Sequence, residues 1–151
     1  MTTRIATTAA LALLAAIAIL VPPTASAEQL GVDGYYFLDG EAPASFANID
    51  HMVLSEETSG EKQTPSGWIE LKNAAATRFV LRNVVLAGQD FTFTTSAVGG
   101  VSYRFKGRFV QTGVFSSTQP EGVVLTGHLS KVRANAVVAE ADVGFTYFVG
   151  D

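Results

Sequence analysis

The sequence predicts an all-β fold, a single antiparallel meander that forms a closed or nearly closed barrel of about eight strands. Short β-branched and aromatic runs recur along the chain between Gly-, Pro- and Asn-containing turns, and helical periodicity is scarce. In residues 90–149 apolar and polar residues alternate with the period of a strand. The same observations leave a two-sheet β-sandwich as the alternative.

The chain begins with a segment that resembles a secretory signal peptide. Arg4 precedes an uninterrupted apolar run, Ala9–Val21, which Pro22-Pro23 ends. Ala25-Ser26-Ala27 then has the small-x-small pattern of a cleavage site. The run is shorter than the roughly 20 residues of a membrane-spanning helix. We therefore predict cleavage of residues 1–27, a secreted or periplasmic location without a stable membrane anchor, and one β-barrel domain at 28–151.

Composition narrows the classes of partner. Loss of Arg4 changes the net charge from −4 to about −5. An acidic chain has no electrostatic basis for binding nucleic acid. The absence of Cys excludes a disulfide framework and thiol chemistry, whereas ten Phe, four Tyr and one Trp can fill an apolar core.

Four strands are predicted before residue 88, with a short loop at 41–44 and a longer one after the second strand. The longer loop is Glu57 to Gly67, because it is polar and contains Gly60 and Pro65. The strands are predicted at 35–38, 49–56, 68–71 and 78–86.

The second half is clearer, with strands predicted at 90–97, 101–112, 122–132 and 137–149. Val101–Phe109 has apolar residues or Gly at odd positions and Ser, Arg, Lys and Arg at even positions, which indicates one apolar face and one cationic face.

Residues that lie opposite each other on two strands share a face, so this alternation also predicts the register. A three-residue loop at 98–100 pairs Phe93 with Phe105, and Phe91 with Gly107, where the missing side chain leaves room for the Phe91 ring. A three-residue loop at 134–136 places His128 opposite Asp142. It likewise pairs Leu125 with Phe145, Leu129 with Ala141, and Ser130 with Glu140.

Large rings alternate with small residues on the apolar face of the last four strands, a pattern that suits either a filled barrel or a pocket. The candidate lining residues of a ligand pocket are Tyr103, Phe105, Phe109, Phe145, Tyr147 and Trp68.

Catalytic groups are scarce. His128 and Asp142 are the one predicted acid–base pair, and an exposed cross-strand ion pair is the simpler interpretation. No Ser occupies a nucleophile-elbow sequence, and His51 and His128 are far apart, so we predict no catalytic residue, no metal site and no cofactor.

The basic row Arg104, Lys106 and Arg108 fits a solvated outer face or a patch for an anionic ligand. If the whole sheet were inverted, the row would face the lumen of a small outer-membrane barrel.

The run Tyr103-Arg104-Phe105-Lys106-Gly107-Arg108-Phe109 resembles the Gly-interrupted aromatic strands of small secreted calycin-like barrels, the lipocalin and avidin group. The resemblance covers the last four strands and concerns architecture. The Gly-x-Trp signature of lipocalins is absent, because Gly67 and Trp68 are adjacent and lie in mid-chain. The resemblance implies a secreted antiparallel barrel and carries over no site residues.

These features favour an exported, non-catalytic binding protein for a small, mostly apolar ligand or for a partner surface. The alternatives are a small barrel enzyme of isomerase or cyclase type, and a structural or interaction module. The identity of the ligand and the oligomeric state are left open.

Overall fold

The computed structural model describes residues 30–59, 62–74 and 77–150, which form a closed barrel of eight antiparallel strands in chain order. The predicted fold class is confirmed. The sandwich alternative is wrong, because the first strand pairs with the last and one sheet closes on itself. The predicted signal peptide, residues 1–27, lies outside the described residues. None of the described helices is long and apolar enough to cross a membrane.

The strands are β1 Gly34–Leu38, β2 Ile49–Ser59, β3 Lys62–Leu71, β4 Arg78–Ala87, β5 Asp90–Thr95, β6 Val101–Phe109, β7 Val123–Arg133 and β8 Ala136–Phe148. A 3-10 turn, Ala44–Phe46, connects β1 to β2, and a short helix α1, Phe115–Thr118, lies between β6 and β7.

The predicted register of β5 and β6 is confirmed, but the loop between them is one residue shorter than predicted. Phe93 pairs with Phe105, and Phe91 with Gly107. Val98 and Val101 exchange both backbone hydrogen bonds, at 2.8 and 3.0 Å, so the turn contains only Gly99 and Gly100. Both glycines have positive φ, as a type I′ turn requires, and this turn matches the twist of the strands. The extra residue lies before Val98, where the β5 side has one more residue than the β6 side.

The hairpin of β7 and β8 repeats this arrangement. The predicted pairs from Leu125–Phe145 to Ser130–Glu140 are observed. Arg133 then pairs with Ala136, so the turn is Ala134-Asn135, with φ of 49° and 64°. The extra residue forms a bulge on β8, between the partners of Lys131 and Val132.

A bulge also explains why β4 has apolar residues at both odd and even positions. The pairing with β5 shifts between Arg82 and Val85, and Asn83 has φ of 50°. Phe79 and Leu81 face the core before the bulge, and Val84 and Leu86 pack against it afterwards.

The prediction of a loop at 57–67 is wrong. β2 and β3 pair from Leu54–Gly67 through Glu56–Pro65 to Ser59–Lys62. Among the described residues, β3 pairs with β4 only at Trp68–Glu70, so the outer part of β3 has a free edge. A free edge tolerates Pro65, which cannot donate a ladder hydrogen bond.

Gly107 and Gly127 bring β6 and β7 close together. They pair directly, and a Cβ added to Gly107 would lie 2.2 Å from Thr126 O and 2.5 Å from Phe105 Cζ. The ring that occupies this space is therefore Phe105, and the prediction that the space serves Phe91 is wrong. The backbone of β7 leaves no room for a side chain at Gly107.

Aromatic residues close both ends of the barrel. At the first end, where β1 begins and β8 ends, Phe115 of α1 is fully buried and its ring lies 5.8 Å from Phe109 and 5.4 Å from Tyr147. At the second end, Phe46 of the 3-10 turn is fully buried, 6.4 Å from the ring of Tyr103. Both plugs come from connecting segments, which extend the core beyond the strands.

The sheet has its apolar face inside. Phe105 is buried, whereas Arg104, Lys106 and Arg108 are exposed on the outer wall. The outer-membrane alternative, with these charges facing a lumen, is therefore wrong.

Candidate functional site

Five of the six pocket candidates lie inside the barrel, in contact with other rings. Phe105 stacks on Phe93 at 5.4 Å and meets Phe145 edge-on at 5.9 Å. Tyr103 meets Phe79 edge-on at 4.9 Å. These separations are those of favourable aromatic pairs. The described rings therefore form a packed core, and their role in ligand binding stays a prediction.

The remaining two interior candidates belong to a cluster of four rings at the first end. Phe109 contacts Tyr36 at 6.1 Å and Phe115 at 5.8 Å. Tyr147 contacts the same two residues, at 5.5 and 5.4 Å. The four rings form a closed circuit beneath α1, so this end of the barrel has an aromatic floor.

Two of the core phenols, those of Tyr36 and Tyr147, donate hydrogen bonds to backbone carbonyls. Tyr36 Oη donates to Val32 O at 2.7 Å, and Tyr147 Oη donates to Asp33 O at 2.6 Å. Burial raises the pKa of Tyr36, Tyr103 and Tyr147 above the ordinary value of 10.0. These phenols are therefore protonated at neutral pH. Among the described residues, Thr95 is the buried polar side chain, and its Oγ1 accepts from Tyr103 N.

His128 lies on the outer wall between two carboxylates of β8. Its Nδ1 is 2.9 Å from Asp142 Oδ1, and its Nε2 is 3.4 Å from Glu140 Oε2. Hydrogen bonds to Asp142 and then Glu140 raise the pKa of His128 above its ordinary value of 6.5. All three side chains are exposed, and His128 and Asp142 line a shallow, open depression, so the geometry is that of an exposed cross-strand ion pair.

Trp68 is not with the other pocket candidates, because the structure places it on the outer wall of β3. Its Nε1 donates to Glu70 Oε2 at 3.3 Å, and the Arg78 guanidinium lies 4.4 Å from the centre of the ring. This cation–π contact covers one face of the indole.

The outer wall carries a group of neighbouring aromatic side chains. We define the outer aromatic patch as Tyr35, Phe37, His51, Trp68 and Phe148. Tyr35 and Phe148 are opposite each other on β1 and β8, and Tyr35 and Trp68 both lie opposite Val53 of β2. The patch therefore extends over four neighbouring strands.

His51 forms the centre of this patch. Its ring lies 5.4 Å from Tyr35 and 5.6 Å from Phe37, and its Nδ1 is 2.8 Å from Asp50 Oδ2. Tyr35 and Phe37 are each 37% exposed and Phe148 is 50% exposed. The signal in the sequence was the shared parity of Tyr35 and Phe37, which places both on the face opposite to Tyr36.

No group of three His, Asp or Glu side chains among the described residues could hold a metal ion. No known protein family, curated protein or solved structure matches this chain. The eight-stranded antiparallel meander is compatible with calycin-type architecture, and no family is assigned.

Proposed function

We propose that this protein is an exported, non-catalytic binding module that holds a partner protein against the outer aromatic patch. One observation carries the proposal: Tyr35, Phe37 and Phe148 are exposed side by side, although the core buries most of the other rings. Large exposed apolar groups that adjoin one another are typical of interaction sites, and aromatic residues are enriched at the centres of interfaces.

The surroundings of the patch indicate the chemistry of the partner. Asp50 adjoins His51, and its side chain is 44% exposed. Glu70 lies beside Trp68. A partner with an apolar centre and basic groups at its rim would bury the rings and meet these carboxylates at the edge, where charge governs the rate of association.

A small apolar ligand inside the barrel is the second candidate, and the apolar character of the interior favours it. Such a ligand would have to separate rings that contact each other, for example the stacked pair Phe93 and Phe105. That separation forfeits aromatic contacts worth about 1 kcal/mol per pair. The enzyme alternative has less support, because both His residues lie on the outer wall and no buried carboxylate occurs among the described residues.

The test uses a photo-crosslinking residue at Phe37 and, as a matched control, at Val85, which is 54% exposed on β4. In native extract of the host, we expect one protein to be crosslinked from position 37 and not from position 85. The partner is then purified and its affinity measured for the variant Tyr35→Ser/Phe37→Ser.

We expect this variant to bind at least tenfold more weakly, because central interface rings contribute about 2 kcal/mol each or more. Equal crosslinking at both positions, or unchanged affinity of the variant, would contradict the proposal. Native mass spectrometry of protein purified from its own host tests the second candidate, the small apolar ligand, because a retained small molecule adds a defined mass.

A further inference from the structure

The barrel wall is divided by charge. Strands β4 to β7 contain seven Lys and Arg residues and one carboxylate, Asp90. Strands β8, β1, β2 and β3 contain six Asp and Glu residues and one Lys. The net charge of −4 is therefore unevenly distributed, because one half of the barrel wall is basic and the other half is acidic.

The basic half contains an ordered array, which we call the basic wall: Arg82, Arg104, Lys106 and Arg108. Arg82 of β4 and Arg104 of β6 both lie opposite Thr94 of β5. Because neighbouring strands are about 4.8 Å apart, the backbones of the two arginines are separated by about 10 Å across the sheet. Successive outward residues of β6 are separated by about 7 Å along the strand.

Most of these cations have no partner among the described residues. Arg82, Arg104 and Lys106 are exposed, and their side chains form no ion pair or hydrogen bond with any described residue. Arg108 donates to the neutral amide oxygen of Gln89 at 3.1 Å. The carboxylates on β8 are held by His128 instead.

The groups between the cations are mainly hydroxyls, although Asp90 lies opposite Arg108 and His128 lies opposite Lys106. Thr92 lies opposite Lys106, Thr94 lies opposite Arg104, and Ser130 of β7 lies opposite Arg104 on its other side. Hydroxyls both donate and accept hydrogen bonds, so they suit a ligand that carries hydroxyls of its own. The outward residues of β5 and β6 include no aromatic ring, which single-stranded nucleic acid would need for base stacking.

We propose that the basic wall binds an extended carboxylated polysaccharide. The cations of β4 and β6 pair with carboxylates spaced along the polymer, and the hydroxyls of Thr92 and Ser130 bond its sugar hydroxyls, whereas the Thr94 hydroxyl is engaged by Arg82 O and Asn83 Nδ2. Each exposed ion pair is weak, so affinity comes from the number of cations that one polymer chain engages at once. The acidic half repels the same polymer and confines it to this wall.

The test measures binding of purified protein to polygalacturonate by isothermal titration calorimetry at low and at physiological salt. We expect affinity to fall as salt rises, because the contacts are exposed ion pairs. The variant Arg104→Gln/Lys106→Gln should bind roughly tenfold more weakly, since it loses two contacts worth a few-fold each. Lys72→Gln, which removes an exposed cation from the β3–β4 turn, should bind within about twofold of the wild type.

Other probes identify the source of any binding. Neutral dextran should not bind. Retention of full affinity by Arg104→Gln/Lys106→Gln, or affinity that does not depend on salt, would overturn the proposal. So would stronger binding to anionic phospholipid vesicles than to polygalacturonate. Self-association that is lost in the same variant, without polymer binding, would overturn it in favour of a second copy whose acidic half faces the basic wall.

Discussion

Replacement of Gly107 by Ala tests the account of the β6–β7 contact. The new Cβ would lie 2.2 Å from Thr126 O and 2.8 Å from Gly127 Cα, and both of these are backbone atoms. A third contact, 2.5 Å to Phe105 Cζ, involves a ring that is already packed against Phe93 and Phe145. Removal of these clashes therefore requires a shift of the β7 backbone rather than a change of side-chain rotamer.

Overpacking of a core by one methyl group costs about 1–3 kcal/mol, and backbone clashes lie at the upper end. We expect Gly107→Ala to lower the free energy of unfolding by about 3 kcal/mol and the Tm by about 10 °C. Urea denaturation followed by circular dichroism measures the first quantity, and a thermal scan measures the second. The fluorescence of Trp68, the single Trp, gives an independent probe of the same transition.

The matched control is Gly144→Ala on β8. The nearest atom to its added Cβ is Val123 Cγ1 at 3.2 Å, a side-chain atom that can move, so we expect a change of less than about 1 kcal/mol. If Gly107→Ala were as stable as Gly144→Ala, the close approach of β6 and β7 would not be a constraint, and the reasoning would be refuted.

Three further predictions concern the turn, the ion pair and the plug. Ala134 has φ of 49°, so Ala134→Gly should raise the free energy of unfolding by about 1 kcal/mol, whereas Asn135→Gly should change it little; equal effects in urea denaturation would argue against strain at Ala134. The pKa of His128 is raised, so its stabilising contribution is fully present below pH 6.5 and is lost as pH rises through the folded-state pKa. An NMR titration should show a pKa above 6.5 that falls in Asp142→Asn, and an unchanged pKa in that variant would contradict the assignment. Phe46→Ala should cost about 3–5 kcal/mol, because the ring is fully buried at the second end, and calorimetric unfolding with a near-wild-type Tm would show that the plug is dispensable.

The register was predictable from sequence because it depends only on which residues share a face. Phe93 must face Phe105 whether the extra residue lies in the turn or in the strand beside it. Parity cannot distinguish these two places, so the predicted loops at 98–100 and 134–136 were one residue too long. Hairpins prefer two-residue type I′ turns, which places the extra residue in the strand. The sequence Gly99-Gly100 is typical of such a turn.

The other differences between prediction and structure concern residues whose structural role depends on neighbouring strands. Pro65 and Gly67 are turn signals in isolation, yet they lie in β3, whose outer part has a free edge. The bulge at Asn83 moves apolar residues of both parities to the core. Trp68 was grouped with the core rings because large aromatic residues are usually buried, and no local pattern showed which face of β3 is outside.

The pairing of β1 with β8 has a consequence for the order of folding. Thr146 Oγ1 and Phe37 O, which are hydrogen-bonded across this seam, are separated by 109 residues. Contacts of such separation carry the largest loss of chain entropy, so we expect the seam to form late in folding. Tyr35 and Phe148 meet only at this step. The outer aromatic patch is therefore complete only in the closed barrel, and a partner that contacted Phe148 together with Tyr35 would stabilise the closed form.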